Sequence, residues 1–142
     1  MKKNIIILIS ISLIISLMSC SSSTNEKKDI VVTTPTDDIY VYYFHYSHRC
    51  ETCVAVEEES KKALNELYPT EMETGKIVFQ SIDMDEKEGE ELAKTMEIPG
   101  QTLIFIKKET SIDITNEGFL YAVSESEKLK SKIKETVDEL LK

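Results

Sequence analysis

Ile39-Tyr40-Val41-Tyr42-Tyr43-Phe44-His45-Tyr46, followed by Ser47-His48-Arg49 and then Cys50-Glu51-Thr52-Cys53, is the stretch whose reading decides the fold. The first part is aromatic and β-branched, holds neither Gly nor Pro, and reads as a strand. Ser47-His48-Arg49 makes a short turn. Beyond it, Val56, Ala63, Leu64 and Leu67 recur on one helical face with charges between them, and Pro69 marks the end of that helix. Two cysteines thus sit three positions apart at a strand-to-helix junction. In a first helical turn, positions i and i+3 share a face, which brings the sulfurs within bonding reach. Cys50 lies where unpaired N–H groups and the helix dipole favour a negative charge. A thiolate is the reactive form of cysteine, and a helix N-terminus lowers a thiol's pKa. This placement makes Cys50 the attacking or leaving sulfur and Cys53 its partner.

Outward from the motif, residues 76–83 (Lys-Ile-Val-Phe-Gln-Ser-Ile-Asp) predict a second strand. Asp85 with Glu88 has capping-box spacing, ahead of a helix that carries Leu92, Ala93 and Met96 on one side, with Gly89 weakening it. Ile98-Pro99-Gly100-Gln101 is a turn, and the apolar run Thr102-Leu103-Ile104-Phe105-Ile106 suits a buried strand. Ser111-Ile112-Asp113-Ile114-Thr115 alternates and reads as its hairpin partner. Residues 117–123 fit neither template cleanly. Ser124 with Glu127 is again a capping box, and Leu129, Ile133, Val137, Leu140 and Leu141 form a helical stripe to the end. The expected order is β–α–β–α–β–β–α, in which helical crossovers give a parallel portion and the late hairpin an antiparallel one.

The N-terminal part has another character. Lys2 and Lys3 precede an apolar run over residues 5–18 broken only by serines, and Leu17-Met18-Ser19-Cys20 closes it. That is the layout of a secretory signal, and its end resembles the lipobox of bacterial lipoproteins. The resemblance implies that Cys20 carries lipid and becomes the new N-terminus. Residues 20–38 have the composition of a tether, with a short strand conceivable at residues 30–34. The organisation expected is a signal over 1–19, a lipidated Cys20 and tether over 20–38, and one domain over 39–142. The localisation that follows is lipid-anchored and extracytoplasmic, in the periplasm or cell envelope. Of three cysteines, lipidation uses Cys20 and leaves the pair Cys50 and Cys53. Loss of Lys2 and Lys3 with the signal takes the net charge from −9 to about −11. So acidic a chain excludes nucleic acid as a partner and adhesion to anionic lipid through protein surface charge. Its membrane link is the lipid itself.

A strand order of this kind, with Cys-x-x-Cys at the first strand–helix junction, resembles the thioredoxin family over residues 39–142. The resemblance implies an α/β fold with a mixed central sheet and helices on both faces. It also implies thiol–disulfide exchange with a protein thiol or disulfide partner, with Cys50 as nucleophile and Cys53 as resolving thiol. The family's cis-proline directly precedes the Thr-Leu of the third strand; here Gln101 holds that place and Pro99 lies two residues earlier. Either Pro99 is the cis-proline beside a local insertion, or Gln101 replaces it. The dipeptide Glu51-Thr52 departs from the family's common pairs. Glu51 disfavours a Cys50 thiolate, whereas Arg49 and His48 favour it. A narrower resemblance rests on Val41-Tyr42-Tyr43-Phe44-His45, on Arg49-Cys50-Glu51-Thr52-Cys53 and on Gly118-Phe119-Leu120-Tyr121-Ala122 before a Lys-rich final helix. These are similar to the nitrophenyl-compound nitroreductase subunit family, which implies support of a nitroreductase-type partner. The chain has four glycines and no Gly-x-Gly-x-x-Gly, so electron relay suits it better than holding a flavin.

The residues leave two other readings open. His45, His48, Cys50 and Cys53 are four ligands within nine residues, a set suited to zinc or copper and so to a metal carrier. A permanent disulfide would make the chain a non-catalytic adaptor. The favoured reading is a thiol–disulfide oxidoreductase whose only cofactor is its own redox-active disulfide. Tyr40, Tyr42, Tyr43, Phe44 and Tyr46 are expected to serve as core on alternate strand faces. Glu57-Glu58-Glu59 is expected to be a solvated helix face.

Overall fold

The computed structural model describes residues 36–142. The signal segment, Cys20, nearly all of the tether and the conceivable strand at 30–34 lie outside the described residues. The chain runs β1 (Ile39–His45), α1 (Glu51–Leu67), α2 (Pro69–Glu73), β2 (Ile77–Asp83), α3 (Lys87–Thr95), β3 (Thr102–Lys107), β4 (Thr110–Asp113), α4 (Thr115–Tyr121) and α5 (Ser126–Leu140). The strands form a mixed four-stranded sheet in the order β2-β1-β3-β4.

Every residue of β1 is buried, because the strand is covered on both faces and paired on both edges. It runs parallel to β2 and antiparallel to β3. This explains a sequence that is continuously apolar rather than alternating. Ile39, Val41 and Tyr43 face a core built with Val56, Ala63 and Leu64 of α1 and Leu129, Ile133, Val137 and Leu140 of α5. Tyr40, Tyr42 and Phe44 face the opposite layer, made with Ile82, Met84 and with Leu92 and Ala93 of α3. The helices therefore cover both faces, as the sequence pattern predicts. The aromatic run is core except at its end, where Tyr46 is 42% exposed.

Two capping boxes are not formed. The N-cap of α3 is Glu86 and that of α5 is Glu125, neither with a side-chain cap bond. The Asp85 carboxylate accepts instead from the Ser47 backbone N–H at 2.8 Å, so a tertiary contact has taken the side chain that the local spacing assigned to the helix. Residues 117–123, ambiguous in sequence, belong mostly to α4, whose Gly118 packs against Val56 and Leu103.

Gly89, which weakens the expected helix by propensity, is required by packing. A Cβ there would stand 2.0 Å from the backbone oxygen of Asp83. α3 thus lies directly on the end of β2, and no side-chain rotation relieves the clash. On an open helix surface, Gly→Ala gains about 0.8–1 kcal/mol. Here Gly89→Ala is expected to destabilise the domain by about 1–3 kcal/mol. Urea unfolding checks it, and a stabilised variant would contradict the packing described.

Candidate functional site

The sheet register builds the site. Tyr43 pairs with Ser81 and His45 with Asp83 on one side, while Phe44 pairs with Thr102 on the other. The exit of β1, the exit of β2 and the entry to β3 therefore meet at one end of the sheet. The turn after β1 is tied to β2 by hydrogen bonds. Ser47 Oγ donates to Asp83 Oδ2 at 2.7 Å, the Asp85 N–H donates to Asp83 Oδ1 at 2.9 Å, and the Met84 N–H donates to the His45 carbonyl at 2.8 Å. Burial opposes ionisation of Asp83. The N–H of Asp85 and the hydroxyl of Ser47, with His45 and Arg49 nearby, outweigh it and hold the carboxyl below its ordinary value.

This turn delivers Cys50 to the N-cap of α1, in extended backbone geometry (φ −78°, ψ 169°), and its sulfur accepts from the Cys53 N–H at 3.4 Å. Both cysteines are free thiols; Cys50 is exposed and Cys53 is buried. Their sulfurs are 2.8 Å apart, so closure to a covalent bond of about 2.05 Å needs little movement. The Cys50 thiol is held below its ordinary value, first by the hydrogen bond from the Cys53 thiol and then by the backbone N–H of Cys53, against a small opposing effect of burial. The exposed sulfur is therefore the nucleophile, and once it is a thiolate the buried thiol is its hydrogen-bond donor.

The predicted neighbours divide. Arg49 does not lie on Cys50. Its guanidinium pairs with Glu57 and sits 6.0 Å above the Tyr43 ring centroid, with both partners of the ion pair 22% exposed. Its charge is largely answered there, and Glu57 is not the plainly solvated residue its acidic run suggests. His48 is exposed in the turn, and neither residue is among the leading causes of the Cys50 shift. Pro99 is exposed, and the described residues contain no cis peptide bond. Of the two positions left open ahead of β3, Gln101 is the one that meets the pair: the Cys53 thiol donates to its Oε1 at 3.5 Å. His45 is committed elsewhere. Its Nδ1–H donates to the Tyr46 carbonyl and its Nε2 pairs with Ser81 Oγ, each at 2.9 Å. With both ring nitrogens engaged, His45 is not presented with the thiols. Among the described residues no three His, Cys, Asp or Glu side chains gather as a metal set.

Tyr43 was expected only as core. Its hydroxyl donates to the Cys53 carbonyl at 3.0 Å, which braces the first turn of α1 from beneath. Burial and then the neighbouring Cys53 push the hydroxyl's pKa up, so it is a neutral donor over the physiological range. No periodicity reveals this contact, since the same position is already explained by its apolar ring.

No family model matches the chain, and no curated protein matches it. Solved structures do. The zinc-bound form of human ERp44 is similar at 16% identity and a TM-score of 0.51, over 74% of this chain and 30% of that one. Thioredoxin O2 from Arabidopsis thaliana in its oxidised state is similar at 19% identity and a TM-score of 0.49, over 70% of this chain and 75% of that one. The thioredoxin of Fasciola hepatica is similar at 17% identity and a TM-score of 0.45, over 71% and 83%. The fold is thioredoxin-like: an α/β unit with a mixed four-stranded sheet and helices on both sides.

Alkylation of the reduced chain by iodoacetamide, followed against pH by peptide mass, is expected to give a Cys50 midpoint below the ordinary thiol value of 9.0. A hydrogen bond to the charged form lowers a pKa, so Cys53→Ala is expected to move that midpoint upward. A midpoint at or above the ordinary value contradicts the arrangement, as does a variant that leaves it unmoved.

Proposed function

We propose that this chain is a thiol–disulfide oxidoreductase working through Cys50 and Cys53. The observation that carries the reading is an exposed, acidified thiol at a helix N-cap with a second, buried thiol 2.8 Å away. In the reducing direction, the Cys50 thiolate attacks one sulfur of a partner disulfide. A Cys50–partner bond forms, the partner's S–S bond breaks, and its other sulfur leaves as a thiolate. Cys53 then gives up its proton to solvent and attacks Cys50. The Cys50–Cys53 disulfide forms and the second partner sulfur departs. The pair has lost two electrons and the partner has gained them; the oxidising direction is the reverse.

The finer parts of the reading rest on sequence. Leu17-Met18-Ser19-Cys20 supports a lipid anchor on Cys20 and an extracytoplasmic setting. The resemblance around Arg49-Cys50-Glu51-Thr52-Cys53 supports a nitroreductase-type partner, to which this chain would pass electrons. Tyr43, Ser47, Asp83 and Asp85 hold the motif in place and take no part in the exchange.

Cys50→Ser is expected to reduce exchange to background. Cys53→Ser is expected to leave the first attack and stop the second, accumulating a covalent adduct with the partner in cells. Non-reducing electrophoresis and mass spectrometry of the trapped species read both the adduct and the partner's class. Absence of any adduct that is sensitive to reductant and dependent on Cys50 would count against the function.

A further inference from the structure

Gln101 stands where the sequence leaves the identity of the loop open, and it contributes a side chain that a proline lacks. Its Oε1 lies 3.5 Å from Cys53 Sγ and accepts the thiol hydrogen in the dithiol form, in which Cys50 donates its own hydrogen to Cys53. The same sulfur lies 2.8 Å from Cys50 Sγ. Cys53 is buried, and its one hydrogen has two acceptors in reach: Cys50 Sγ when Cys50 is a thiolate, and Gln101 Oε1 when Cys50 keeps its own hydrogen. Gly100 accepts from Thr102 Oγ1 at 3.0 Å, which fixes the backbone beside Gln101 at the entry to β3.

The contact depends on the oxidation state for a simple chemical reason. A thiol has a hydrogen to donate; a sulfur in a disulfide has none. When Cys53 closes onto Cys50, the proton held between Cys53 and Gln101 goes to solvent and the carboxamide loses its donor. From this juxtaposition we infer that Gln101 is a positioning residue that selectively stabilises the dithiol form of the Cys50–Cys53 pair, and so makes the pair a stronger oxidant than the same fold without it. The inference deepens the thiol–disulfide reading and rests on it. Stabilisation of the reduced form raises the potential of such a pair.

Two near-isosteric substitutions give opposite signs. Gln101→Met keeps the length and removes the acceptor. The dithiol form loses a hydrogen bond, so the equilibrium is expected to move about threefold toward the disulfide, about 14 mV more negative at about 30 mV per tenfold. Gln101→Glu keeps an acceptor and makes it charged and stronger. It is expected to move the equilibrium by about threefold or more toward the dithiol. A residue that merely filled space would give shifts of one sign, or none, for both changes.

The test is equilibration of the full-length wild type, Gln101→Met and Gln101→Glu in graded glutathione buffers at neutral pH. Alkylation and peptide mass read the fraction reduced, and thermal unfolding confirms that each variant is folded. Opposite shifts in the stated directions support the inference. A wild type that titrates while both variants match it, or shift together, overturns the inference and leaves the oxidoreductase intact. A wild type with no transition at all overturns both.

Discussion

Strand β1 is buried along its whole length and hydrogen-bonded on both edges, and the remaining structure is arranged by that constraint. A strand in this position cannot slip by one residue without moving Tyr43 out of one core and Phe44 out of the other. Its register is therefore fixed, and with it the point where the chain leaves the sheet. From that point Ser47, Asp83 and Asp85 hold the turn, and the turn sets which residue caps α1. The reactive sulfur is placed by the packing of a hydrophobic strand several residues upstream.

The chemistry then follows from a division of environment between two like groups. Cys50 is exposed and receives hydrogen bonds, which favour its charged form; Cys53 is buried and supplies one of them. Tyr43 secures the helical turn that carries Cys53. Arg49, the positive charge next to Cys50 in sequence, is paired with Glu57. Local hydrogen bonds, more than surface charge, shape the nucleophile, so its reactivity should respond weakly to ionic strength.

The sequence made much of this legible. The aromatic run of β1 and the apolar stripes of α1 and α5 belong to the cores, and these made the sheet, the helices and the junction that holds the cysteines legible. The capping box at Asp85 failed because a local spacing says nothing of competing tertiary partners: the Ser47 N–H, in the turn after the neighbouring strand, takes its carboxylate. At Ser124 the helix starts one residue later, with Glu125 as its N-cap. Gly89 looked like a weakness because its close approach to the Asp83 backbone is a long-range fact. Likewise the pairing of Arg49 with Glu57, the Tyr43 hydroxyl under Cys53 and the committed ring of His45 are contacts that composition and periodicity do not encode. Glu57 is the nearest to a missed signal, since it is an acidic residue in the second turn of α1, within reach of the Arg49 side chain that precedes the helix.

The central claim is that Cys50 and Cys53 interconvert reversibly between dithiol and disulfide. The most direct measurement equilibrates the full chain across glutathione buffers of graded potential, quenches with an alkylating reagent, and reads the mass of the peptide holding both cysteines, with bound metal quantified in the same sample. One reversible two-electron transition is expected, with no singly modified species at equilibrium beyond a mixed disulfide with glutathione. Thiols shielded from alkylation by stoichiometric zinc or copper, or a disulfide that does not open in strongly reducing buffer while the domain remains folded, would contradict it.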